Sequence, residues 1–294
     1  MRSSNPVFSR SDGFNGRGST SGMTYPGYQS APAPSYGAQQ TQHGGQQYGG
    51  APSPTGYDGS DQRMTIDSVV QKTGMTLGVV VLFAAATWFL TGPIDSPQAL
   101  GTLYMLSMVG ALTGFGLAMA NSFKKIVSPP LVLAYAAVQG VFVGAFSKAM
   151  EAQFGSPDEP GGLVMGAVVG TFAAVAGTLA AYKFFNIRVS EKFRKIAVAA
   201  IIGFVAVSFF DFILSFFSAQ IGINGFGPLG LLMSFVGLGL GIVLLILDFD
   251  FVERGIAARL PERESWRAAF GLTVTIIWIY IELLRILAIL RGSD

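Results

Sequence analysis

The chain has 294 residues, of which 51% are hydrophobic and only 12% charged, against roughly 25% charged in ordinary soluble domains. Its net charge of +2 makes no electrostatic case for nucleic acid, and the absence of Cys excludes disulfides, zinc thiolates and Cys nucleophiles. The single His, His43, lies outside the apolar part, so no His-based triad or His-containing metal cluster can form there.

Residues 1–60 are predicted to be a disordered low-complexity tail. The stretch "YPGYQSAPAPSYGAQQTQHGGQQYGG" is Gly, Gln, Ser, Pro and Tyr with almost no aliphatics. It cannot bury enough apolar surface to offset its ordering entropy. It reads as a solvated leader, with a Tyr/Gln/Gly interaction tail as the alternative. It has no apolar h-region, so a signal peptide is not expected.

Residues 61–294 are predicted to form an all-α polytopic membrane domain, a bundle of seven transmembrane helices. Apolar stretches occur at about 75–92, 100–121, 130–149, 163–182, 196–218, 229–250 and 268–290. Each is near the ~20 residues that cross hydrocarbon. Lipid leaves backbone groups no partner except within a helix, so all seven should be helical. Glycines four residues apart, Gly110/Gly114, Gly140/Gly144, Gly166/Gly170 and Gly237/Gly241, are positioned to let helices approach closely.

Orientation follows from Lys and Arg. Alternate connections carry Arg63 and Lys72, then Lys124 and Lys125. After these come Lys183, Arg188, Lys192, Arg194 and Lys195, and then Arg254, Arg259, Arg263 and Arg267. The opposite connections hold Lys148 beside Glu151, Asp158 and Glu159. By the positive-inside rule the N-terminus is expected in the cytoplasm and, after seven spans, the C-terminus outside.

An ionisable group inside a span is a functional candidate by default, because charge at mid-bilayer costs roughly 3 kcal/mol. Five stand inside or at the edge of the spans: Asp211, Asp248, Asp250, Glu282 and Arg285. Glu282 and Arg285, three residues apart in "WIYIELLRILAIL", share a helix face and read either as a self-neutralising pair or as a carboxylate on a polar cavity. Asp248 and Asp250 close the sixth span. Two residues turn a helix by about 200°, so only one can point into the bundle, and Asp250 lies nearer the basic end. Asp211, among aromatics in "FVAVSFFDFILSFF", has no partner nearby in sequence. "GLGLG" lacks the strand-to-helix context of a phosphate loop and reads as packing. No nucleophile–base pair or metal-ligand set is visible, so an enzyme is not expected.

Three stretches resemble the Bax inhibitor/YccA family. "SPPLVLAYAAVQGVFVGAFS" is similar to its third helix, "GIVLLILDFDFVERG" to its sixth and "IWIYIELLRILAIL" to its seventh, and the opening "SNPVF" resembles a bacterial branch. The resemblance implies an integral protein of the bacterial inner membrane with an acid on helix six facing an acid on helix seven. In that family the pair is a pH-sensitive switch in a calcium-leak pathway, and the wider family restrains cell death or a membrane protease. The helix-six acid falls on Asp248, or as second choice Asp250, and the helix-seven acid on Glu282, a Glu where the family usually has Asp. Asp248 and Glu282 would then bind calcium transiently. No organic cofactor is implied. The partners implied are the lipid bilayer and a membrane protease or other membrane protein, with no nucleic acid.

The family's basic latch in the second helix has no counterpart in "LYMLSMVGALTGFGLAMANSF", and the separation of Asp248 from Glu282 is longer than usual. The leading reading is a pH-sensitive calcium leak channel or transporter. The alternative is a regulatory membrane protein that binds a membrane protease or acts in a stress or cell-death response.

Overall fold

The computed structural model describes residues 63–124, 126–185, 187–217 and 221–292. The expected tail at 1–60, Lys125 and the terminal Asp294 lie outside the described residues. Seven helices run in chain order: α1 (Ile66–Leu90), α2 (Pro97–Phe123), α3 (Pro129–Phe154), α4 (Gly162–Phe184), α5 (Glu191–Ser215), α6 (Pro228–Ala257) and α7 (Glu264–Gly292). Each is long and apolar enough to span a membrane, and no strand forms among the described residues.

Each helix starts before the hydrocarbon stretch that announces it, and polar side-chain caps set the starts of α1, α2 and α5. The first begins at Ile66 instead of residue 75. Thr65 and Ser68 form a reciprocal capping box there, so "KTG" lies within the helix. Ser96 and Ser190 cap α2 and α5 through the N–H groups of Ala99 and Phe193. Pro97, Pro129 and Pro228 occupy the first helical turn of α2, α3 and α6, where a missing N–H costs nothing.

Two residues assigned from sequence to the sparsely basic connections belong to α3 instead. Lys148 donates to the α1 C-terminus, at the carbonyl of Trp88 (2.7 Å), the hydroxyl of Thr91 (2.9 Å) and the carbonyl of Gly92 (2.5 Å). Its three donors are thus filled. Glu151 accepts from the N–H groups of Gly161 (2.9 Å) and Val164 (3.0 Å), placing its carboxylate at the positive end of α4.

At the centre stands α7. Buried side chains fill 67% of its apolar span, against 11% for α5. It packs on α1, α3, α4 and α6, whereas α5 meets only α6 backbone to backbone and α2 only α3. Rings reach further: Phe204 of α5 stacks on Trp278 of α7, and Phe209 of α5 on Phe115 of α2. The tightest seam joins α1 to α3. A Cβ added at Gly140 or Gly144 would stand 2.5 Å from the carbonyl oxygen of Val80 or Ala84, so only glycine admits this approach.

Candidate functional site

Of the five ionisable residues singled out from the sequence, Asp248, Asp250, Glu282 and Arg285 stand on α6 and α7 and Asp211 on α5, and the register of α6 on α7 decides whether the acids of those two helices meet. The two helices are consecutive and antiparallel. Gly237 of α6 lies against Glu282, Gly241 against Ile279, and Asp248 against Gly271 and Thr275. From Gly237 to Asp248 is eleven residues, about 16 Å of helix at 1.5 Å per residue. Asp248 and Glu282 therefore occupy different depths. They do not face each other, and one calcium ion, which needs its oxygens at about 2.3–2.6 Å, cannot bridge them here.

Each acid instead has its own seat on the opposite helix. Asp248 accepts a hydrogen bond from Thr275 Oγ1 at 2.6 Å. Its other oxygen lies over Gly271, 3.3 Å from where a Cβ would be. Gly271 and Thr275, one turn apart on α7, make a notch with a single hydroxyl donor in it. Glu282 is received the same way by α6. A Cβ on Gly237 would stand 2.5 Å from Glu282 Oε1, and the fully buried hydroxyl of Ser234 lies beside the carboxylate without completing a hydrogen bond of ordinary geometry. Between the two seats the seam is filled by apolar side chains, with Leu245 and Ile279 both fully buried.

At the end of α6 that carries the basic residues, Asp250 turns the other way, toward α5. Its carboxylate takes Arg194 Nη2 at 2.7 Å and Arg254 Nε at 2.9 Å. Arg254 also reaches Glu191 at 3.1 Å and the carbonyl of Val189 at 3.0 Å. The result is a four-residue ion network that pins the start of α5 to α6. Asp250 is only 7% exposed, yet both of its oxygens are matched by guanidinium groups. A cavity of about 330 Å³ opens beside this network between α5 and α6, with Asp248 in its wall.

At the opposite end, Arg285, paired with Glu282, and Asp211 converge on the chain that joins α5 to α6. Arg285 Nη1 lies 3.4 Å from Glu282 Oε2, as their shared helix face predicts. Its Nη2 donates to the carbonyls of Ile223 (3.2 Å) and Gly225 (3.4 Å). From the other side Asp211 accepts the N–H groups of Ile221 (2.8 Å), Gly222 (3.2 Å) and Asn224 (2.9 Å). The acid that lacked a partner nearby in sequence thus folds the α5–α6 connection around itself, and Arg285 ties that connection to α7.

A family model described as Bax inhibitor 1 like matches residues 5–292. The chain belongs to that family. No curated protein matches it. It is an integral membrane protein of the Bax inhibitor 1 like family with seven candidate spans.

Against the family expectation of facing acids, this Bax inhibitor 1 like chain separates them and compensates three of its four intramembrane acids. Asp250 has two arginines, Glu282 has Arg285, and Asp211 has three backbone donors. Among the described residues Asp248 has the hydroxyl of Thr275 alone. Sequence reading missed Thr275, Gly271, Ser234 and the network arginines Arg194 and Arg254. The available signal was "GLTVT", a glycine and a hydroxyl one turn apart inside an apolar run. No group of three or more His, Cys, Asp and Glu that could hold a metal occurs among the described residues.

Proposed function

We propose that this Bax inhibitor 1 like protein is a pH-sensitive leak for calcium across a bacterial inner membrane, with its N-terminus cytoplasmic and its C-terminus outside. The observation that carries the reading is the position of Asp248. It is the one intramembrane acid, among the described residues, held by a neutral hydroxyl rather than by charge or a set of backbone donors, and it lines a cavity. A protonated Asp248 is neutral and leaves the α6–α7 seam dry. A deprotonated one is an unpaired charge in low dielectric, which draws in water and a hard cation. Flux through this route rises with pH.

In this reading the structure is the closed form, since Leu245 and Ile279 fill the seam between Asp248 and Glu282. An ion passing from one acid to the other requires these two side chains to part. Repulsion between Asp248 and Glu282 does not drive that opening, because they stand about 16 Å apart and Arg285 already balances the Glu282 charge. Hydration of Asp248 does so instead. Calcium flux into proteoliposomes, compared for the native chain and Asp248→Asn, tests the reading. The native protein conducts and the variant loses its pH response. A native protein that moves no calcium at any pH would favour the regulatory reading instead.

A further inference from the structure

The groove between α5 and α6 has the shape and chemistry of a lipid molecule. At its end near the helix termini stand Arg194 and Arg254, and its walls are Val198, Leu244, Leu247 and Phe251. From Arg254 to Leu244 is ten residues, about 15 Å along the helix. That is half of the roughly 30 Å hydrocarbon core, the depth of one acyl chain in one leaflet. Asp248, the one polar group deep in the wall, turns an oxygen onto Thr275 of α7.

We propose that this groove binds an anionic phospholipid, with the phosphate at the α5 N-terminus and one acyl chain along α6. Arg194 and Arg254 stand in the groove itself, and with Arg188, Lys192 and Lys195 near them in sequence they outnumber the acids of this end, Glu191, Asp250 and Glu253. Lys192 and Lys195 are exposed on the first turns of α5, and among the described residues neither forms a close salt bridge, Lys195 acting on Glu191 only through space. The surplus is positive, and a basic pocket between spans on the cytoplasmic side suits an anionic headgroup. Val198 and Ile202, one turn apart on α5, are both exposed and apolar and continue the groove wall along that helix. The bound lipid fills the gap left where the backbone of α5 approaches that of α6 alone. This proposal does not depend on calcium transport.

The test is native mass spectrometry of the full chain in neutral detergent, titrated with equal amounts of phosphatidylglycerol and phosphatidylcholine. Phosphatidylglycerol is retained preferentially. Lys192→Gln and Lys195→Gln each weaken its retention about five-fold, the effect of one basic residue near an anionic headgroup. Leu247→Trp and, from the facing wall, Val198→Trp fill the groove and abolish the preference. Both tryptophan variants are first shown by circular dichroism to keep their helices. Equal retention of the two lipids overturns the proposal. So does undiminished retention by the folded tryptophan variants, which would reduce the effect to surface charge. Displacement by free glycerol phosphate at matching concentration would likewise make it a phosphate pocket rather than a lipid site.

Discussion

Glu282 closes over Gly237 so tightly that a Cβ added there would stand 2.5 Å from its Oε1 and 3.0 Å from the ring of Phe204. A glycine that looked in sequence like half of a helix-packing pair is the floor of a carboxylate seat. Gly237→Ala should therefore push Glu282 off its seat and destabilise the protein by about 1–3 kcal/mol. Glu282→Ala leaves Arg285 without its partner and is costly by itself, but the double variant should lose less than the sum of the two, because the carboxylate is the nearest obstacle. Thermal unfolding in detergent reads both, and strictly additive losses would mean that the two residues do not compete for the space.

Thr275→Val removes the donor to Asp248 at nearly constant volume. It should cost about 1–2 kcal/mol and displace the midpoint of any pH response, whereas Thr275→Ser, which keeps the hydroxyl, should leave that midpoint in place. Equal behaviour of the two variants would assign Thr275 to packing alone.

Asp250→Asn strips the charge from the network that pins α5 to α6. A loss of about 1–3 kcal/mol is expected, less than for a fully buried pair, because the Arg194 and Arg254 side chains are 35% and 45% exposed. Hydrogen exchange should quicken at the start of α5, while the pH profile of flux stays as it was. An unchanged exchange pattern would show that the network contributes nothing to holding α5.

Separate seats also predict independence. The effects of Asp248→Asn and Glu282→Gln on stability should add to within about 0.5 kcal/mol, as for sites beyond about 10 Å without shared partners. A large interaction energy would require the facing arrangement that the register of α6 on α7 denies.

The seven helices were legible because lipid forces long apolar runs into helices, and runs of that length are hard to mistake. Their ends were less so. Thr65 and Ser68 start α1 well before the hydrocarbon begins, and caps are polar signals outside the apolar window. The opposed directions of Asp248 and Asp250 followed from helix geometry, one meeting Thr275 on α7 and the other Arg194 on α5. So did the pairing of Glu282 with Arg285. The supposed pairing of Asp248 with Glu282 did not survive, because the spacing along a chain does not fix the register of one helix on another. Asp211 escaped for a related reason. Its partners are backbone N–H groups of the following connection, which no side-chain pattern announces.

Calcium flux into proteoliposomes over a pH series, with the native chain beside Asp248→Asn and Asp250→Asn, bears most directly on the claim that Asp248 carries the pH response. The account predicts flux that rises with pH in the native protein and in Asp250→Asn, and a flat profile in Asp248→Asn. A native profile retained by Asp248→Asn, or lost in Asp250→Asn instead, would contradict it.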